Sequence, residues 1–147
     1  MNSSFQYLQR YEKHITLKKI GINGQKKIFN SKILIIGMGG LGCPLLTYLA
    51  ASGVGTIGII DHDKVELSNL HRQTLFTTKD IGKFKVDQAK RKINQVNKRI
   101  KILSFKKKVT SKNIKNLLQK FDIICDGTDN RSEEHTSELQ SPMYLVC

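Results

Sequence analysis

Short blocks of consecutive apolar residues alternate along this chain with stretches in which apolar residues recur every three or four positions. Ile33-Leu34-Ile35-Ile36 is β-branched and ends at Gly37, the pattern of a strand buried on both faces. Leu45, Leu46, Leu49 and Ala50 follow at helical spacing, and Gly53 stands where a C-terminal cap belongs. Ile57 to Ile60 predicts a second strand. Val86, Ala89, Ile93 and Val96 predict another amphipathic helix, and Ile100, Ile102 and Phe105 a third strand. Ile114, Leu117 and Leu118 suggest a short helix, and Phe121 to Cys125 a fourth strand. The first thirty residues are less regular and read as helical. Strands alternating with helices predict an α/β fold with a mainly parallel sheet and right-handed crossovers.

The pattern changes after Asn130. Up to that point lysine and isoleucine dominate, whereas RSEEHTSELQSPMYLVC carries one arginine, three glutamates and one of the two prolines. Arg131 to Ser141 back-translates to a sequence that resembles the common short-read library adapter. Residues 131–147 are therefore expected to be a non-native, adapter-derived tail, and its His135, Glu133, Glu134, Glu138 and Cys147 receive no function.

A chain of 147 residues can bury the core of one modest domain. No apolar run approaches the roughly 18 to 20 residues that a membrane-spanning helix needs. The polar start MNSSFQYLQRYEKH lacks the apolar middle of a secretory signal, and a cytoplasmic protein is expected. Cys43, Cys125 and Cys147 are far apart without a CxxC pair, so no disulfide framework or closed zinc site is legible. The formal charge is +13, and Lys90, Arg91, Lys92, Lys98, Arg99, Lys101, Lys106, Lys107 and Lys108 crowd one stretch. No aromatic residues interleave with that run to stack on bases, so the lysines read as a solvated coat rather than a nucleic-acid patch.

The chemistry starts at Gly37-Met38-Gly39-Gly40-Leu41-Gly42, a G-x-G-x-x-G loop between a strand and a helix. Small residues there let backbone amides and a helix N-terminus approach a phosphate. Asp61, at the end of the second strand, is placed for a ribose hydroxyl. The pair predicts a nucleotide in a Rossmann-like, doubly wound fold without saying which one, because a NAD-dependent oxidoreductase would show the same two features. The following segment, Asp61-His62-Asp63-Lys64-Val65-Glu66-Leu67-Ser68-Asn69-Leu70-His71-Arg72-Gln73, offers an amide and a guanidinium suited to a polyphosphate rather than the dry cleft that hydride transfer needs. Lys85 adds a second cation, and Asp129 a hard carboxylate able to hold Mg²⁺ against phosphates. Cys43 and Cys125 read as core thiols, His62 and His71 as exposed or at the rim, and Asp63 as either a site residue or a loop support.

Together GMGGLGCP, IIDHDKVELSNLHRQ, GKFKVDQAK and DGTDN resemble the ThiF/MoeB family of the ubiquitin-activating superfamily, and they cover almost all of residues 1–130. That resemblance implies a partial ATP-binding domain over 1–130, its sheet incomplete and exposed at its last strand. It implies ATP-dependent adenylation of the C-terminal glycine of a ubiquitin-like sulfur-carrier protein, with release of pyrophosphate. By the same resemblance Gly40 packs against the nucleotide, Gly37, Gly39 and Gly42 belong with it to the cofactor-binding loop, and Asp61 binds ribose. Ser68, Asn69 and Arg72 line the phosphate path, Lys85 neutralises phosphate charge, and Asp129 with Asn130 positions Mg²⁺ and ATP. Arg72, Lys85 and Asp129 are the catalytic candidates. Arg10-Tyr11-Glu12-Lys13-His14 is similar to the family's RYxRQ segment, with Lys13 at the position that reaches the ATP of a neighbouring subunit in a homodimer. Zinc would belong to CxxC pairs beyond this chain, and the chain alone is expected to be inactive. Other readings are a non-catalytic nucleotide-binding subunit and a family member that adenylates a tRNA base.

Overall fold

A computed structural model describes residues 3–128 and 144–146 of the chain. The irregular N-terminal stretch folds as three helices, α1 (Ser3–Arg10), α2 (Glu12–Thr16) and α3 (Gly21–Asn30). Strand and helix then alternate as the apolar pattern predicts: β1 (Lys32–Ile36), α4 (Gly42–Ser52), β2 (Thr56–Ile60), α5 (Lys85–Val96), β3 (Lys101–Phe105), α6 (Ser111–Leu118) and β4 (Ile123–Asp126). A last short strand, β5, spans Tyr144–Val146.

All strand pairings are parallel, in the order β3-β2-β1-β4-β5. The run Ile33–Ile36 is buried throughout because helices cover both faces of β1. On one face Ile33, Ile35, Ile57 and Ile59 pack with Leu46 and Ala50 of α4 and Val86, Ala89 and Ile93 of α5. On the other, Leu34, Ile36, Ile60 and Ile124 pack with Ile114 of α6 and Phe121. That division of alternate side chains makes the sheet doubly wound. Gly58 faces Phe121 so closely that a β-carbon there would lie 2.4 Å from the ring.

The expectation that β4 would be left as a bare edge is not met, since Ile124, Cys125 and Asp126 pair with Tyr144, Leu145 and Val146. An unpaired edge is a template for any extended segment, and Tyr-Leu-Val is rich in strand-forming residues, so it satisfies that edge.

A buried polar link ties the N-terminal helices to the sheet layer. Asn97 Nδ2 donates to the Tyr11 hydroxyl (2.8 Å) and to the Ala50 carbonyl (3.0 Å). Gly53, at φ 89°, ends α4 where a side chain would collide with the Tyr11 ring.

Candidate functional site

Strand order reverses between β1 and β4, because the chain runs outward from β1 to β3 and then returns to β1's other side. Open α/β sheets bind ligands at the carboxyl ends of the strands at such a switch point. Here the glycine loop leaves β1, Asp61 follows β2, and Gly127-Thr128 follows β4.

The loop is tight for a stated steric reason. A β-carbon on Gly42 would sit 1.9 Å from the Gly37 carbonyl oxygen, so the first turn of α4 lies against the start of the loop. Gly37 itself holds φ 87°, in the left-handed region that favours glycine. Its amide donates to the Ile60 carbonyl (2.9 Å). Gly127 presses on the same loop, with a β-carbon there falling 3.1 Å from the Gly42 nitrogen. No side chain caps α4 at Leu41, and Pro44 in its first turn forgoes an amide that the helix would not have used.

Asp61 is anchored at both oxygens. The Met38 amide donates to Oδ2 (2.7 Å) and the Asp63 amide to Oδ1 (2.8 Å), which locks the end of β2 to the glycine loop. Each oxygen keeps a further lone pair for a ligand hydroxyl. Arg72 lays its aliphatic stem over Gly40, with Cγ 3.5 Å from where a side chain there would begin, and its Nη2 donates to Asn69 Oδ1 (2.9 Å). Lys85 opens α5 with only 6% of its side chain exposed and pairs with Asp63 Oδ2 at 3.2 Å. Ser68 is exposed, its hydroxyl 3.4 Å from Glu66 Oε2.

The glycine loop, Asp61, Asn69, Arg72 and Lys85 thus share one end of the sheet. Lys13 stands exposed on α2, which packs against α3. Asp129 and Asn130 lie outside the described residues. Asp63 carries more than the sequence alone assigned it, because its link to Lys85 spans 22 positions and no local pattern announces it. Gly127 and Asp126 were likewise missed as a pair. Asp126 Oδ1 accepts from the amide and hydroxyl of Thr128 (3.0 and 2.8 Å) and so shapes the turn beside the glycine loop. Gln73 is buried, and its Oε1 has no hydrogen-bond partner among the described residues.

Asp61, His62 and Asp63 bring ligating atoms within 4.8 Å of one another. The two carboxylates already serve backbone amides and the Lys85 ammonium, which makes the trio a hydrogen-bonded corner rather than a set of open hard ligands.

Cys43 is fully buried, and burial pushes its thiol up to about 12. It packs; it is not a nucleophile near neutral pH. The basic run is in part structural: Arg91 and Lys92 pair with Asp80, Lys106 pairs with Asp87, and Arg99 lies over the Tyr7 ring.

Residues 11–136 match the ThiF family. The chain belongs to that family. This ThiF-family chain is 45% identical over 84% of its length to the adenylyltransferase and sulfurtransferase MOCS3 of Culex quinquefasciatus, of which it covers 28%. It is 37% identical over 84% of its length to the sulfur carrier protein adenylyltransferase of Thermus thermophilus, covering 45% of that protein. Among solved structures it resembles E. coli MccB crystallised with AMPCPP and MccA, with a TM-score of 0.71 and 30% identity over 85% of this chain and 39% of the other. The ThiF-family chain therefore spans less than half the length of each of these relatives.

Proposed function

We propose that the protein adenylates the C-terminal carboxylate of a ubiquitin-like sulfur-carrier protein, using ATP with Mg²⁺ and releasing pyrophosphate. One observation carries this reading: at the switch point a glycine loop too tight for any side chain at Gly42 lies under the Arg72 stem at Gly40, and the Asp61–Asp63 turn bonded to that loop pairs with the buried Lys85 ammonium. A small-residue cradle flanked by two cations suits a polyphosphate, and the names of the relatives supply the reaction class.

In this reading Asp61 turns its remaining lone pairs to the ribose hydroxyls. The glycine loop and the open N-terminus of α4 receive phosphate oxygens, while Asn69 orients Arg72 across the phosphate path and Ser68 flanks it. Asp129 is assigned the Mg²⁺, with Asn130 beside it; the carboxylates of Asp61 and Asp63 are already engaged. When bound, the metal neutralises phosphate charge. The carrier's carboxylate is ionised at neutral pH, so one of its oxygens attacks the α-phosphorus without a general base. The bond from the α-phosphorus to the bridging oxygen breaks, and pyrophosphate departs. The protein's contribution is positioning and electrostatic stabilisation. Lys13 is proposed to reach the phosphates of a neighbouring copy in a homodimer, as a point charge in place of a planar fork.

The test is carrier-dependent ATP–pyrophosphate exchange by the full-length protein. Exchange is expected, with Arg72→Ala slower by about 10² to 10³, the cost of removing one well-placed donor to developing charge. Near-parental turnover of Arg72→Ala sinks that assignment. Binding of NAD in place of ATP with Mg²⁺, without exchange, would transfer the site to the oxidoreductase reading.

A further inference from the structure

We infer that Asp63 is a positioning residue for the proposed adenylation, setting where the Lys85 ammonium stands at the carboxyl end of the sheet; the inference rests on the reading of this site as an ATP site. Lys85 is the first residue of α5, and its side chain is almost wholly buried. Taking an ammonium out of water is costly unless it is paired, and among the described residues Asp63 is its partner.

The two segments are also joined through their backbones. The Lys85 amide donates to the Asp63 carbonyl (3.0 Å), the Val65 amide to the Lys83 carbonyl (2.9 Å), and the Gly82 amide to the Val65 carbonyl (2.9 Å). Asp63 in turn donates its amide to Asp61, whose other oxygen holds the Met38 amide of the glycine loop. The phosphate loop is thus tied through the Asp61 carboxylate to the Asp63 backbone amide, and the Asp63 side chain continues the link to the Lys85 ammonium. His62 Nε2 lies 3.3 Å from the other Asp63 oxygen. Of the three N–H donors on the ammonium Asp63 takes one, which leaves capacity for a phosphate oxygen.

A carboxylate beside a phosphate site is costly to binding unless it does something else. If Asp63 were only a counter-charge, its removal would tighten ATP binding and leave the rate of the chemical step alone. A positioning role gives the opposite pattern, a loss in kcat with little change in KM.

The experiment compares Asp63→Ala, Asp63→Asn and Asp63→Glu in the full-length protein by two readouts. The first is the rate at which acetic anhydride labels the Lys85 amine, followed by peptide mass spectrometry. Labelling several-fold faster in Asp63→Ala, and returned toward the parental rate in Asp63→Glu, is expected; an unchanged rate overturns the inference whether or not the protein adenylates anything. The second is carrier-dependent ATP–pyrophosphate exchange, where Asp63→Ala is expected to lose about tenfold or more in kcat with KM for ATP within about threefold. Parental kcat, or a loss confined to KM, overturns it. Asp63→Asn has the shape of the parent side chain and keeps an acceptor oxygen, so it gives an intermediate result if Asp63→Ala fails to fold. A parent without exchange, but with labelling that responds to Asp63, would end the adenylation reading and leave the Asp63–Lys85 coupling standing.

Discussion

Asp80 has no solvent exposure, yet it is surrounded by donors: the amide and hydroxyl of Thr77 (2.8 and 2.9 Å), the Arg91 guanidinium (2.8 Å) and the Lys92 ammonium. Burial alone would raise its pKa, but the Lys92 and Thr77 hydrogen bonds outweigh burial and bring it to about 2. A carboxylate depressed below its unfolded value of about 3.9 stabilises the fold fully above about pH 4, and that contribution is lost as pH falls through about 2. Asp80→Asn is therefore expected to cost about 1 to 3 kcal/mol in denaturant melts at neutral pH, with the deficit narrowing towards pH 2. An equal deficit at pH 7 and pH 2.5 would show that the charge is not what matters. This clamp fastens the turn ahead of α5, and with it the segment that carries Lys85, although neither arginine nor lysine advertises such a partner eleven or twelve positions away.

At the level of elements, the loop that joins β1 to α4 is closed by glycines, while the body of the helix packs on the strand through side chains. Gly42→Ala is expected to abolish nucleotide binding and to lower the melting temperature, because a methyl group 1.9 Å from the Gly37 oxygen forces the loop open. Gly40→Ala meets only ordinary contact with the Arg72 stem, so a protein that keeps its melting temperature is expected there. Equal loss of stability in both variants would contradict this steric account. The strands and helices were largely legible because their apolar periods are local: Ile33–Ile36 fell within a residue of β1, and Ile57–Ile60 within a residue of β2. The glycine loop and Asp61 were legible for the same reason, their spacing being a short-range signature. Asp63 with Lys85, and Gly127 against Gly42, were not, because each is a contact between segments that the sequence keeps far apart.

For the whole molecule, the proposal that residues 131–147 derive from a sequencing adapter has a direct check. Long-read sequencing of the source DNA across the codon for Asn130 is expected to continue into further α/β sequence with paired cysteines. Encoded RSEEHTSELQSPMYLVC would instead make β5 a native strand. Among the described residues no helix is long and apolar enough to cross a membrane. The return of β4 to the inner side of β1 has one more effect. The Lys32 amide donates to the Asp122 carboxylate across 90 residues, and the Asp122 amide returns a bond to the Lys32 carbonyl. During synthesis at about 5 to 20 residues per second, the β1–β2–β3 half can pair as it emerges, but one side of β1 waits several seconds for its neighbour. A nascent chain stalled before β4 would hold a finished glycine loop with no opposite wall, so its exposed β1 edge is where a ribosome-associated chaperone has most to protect.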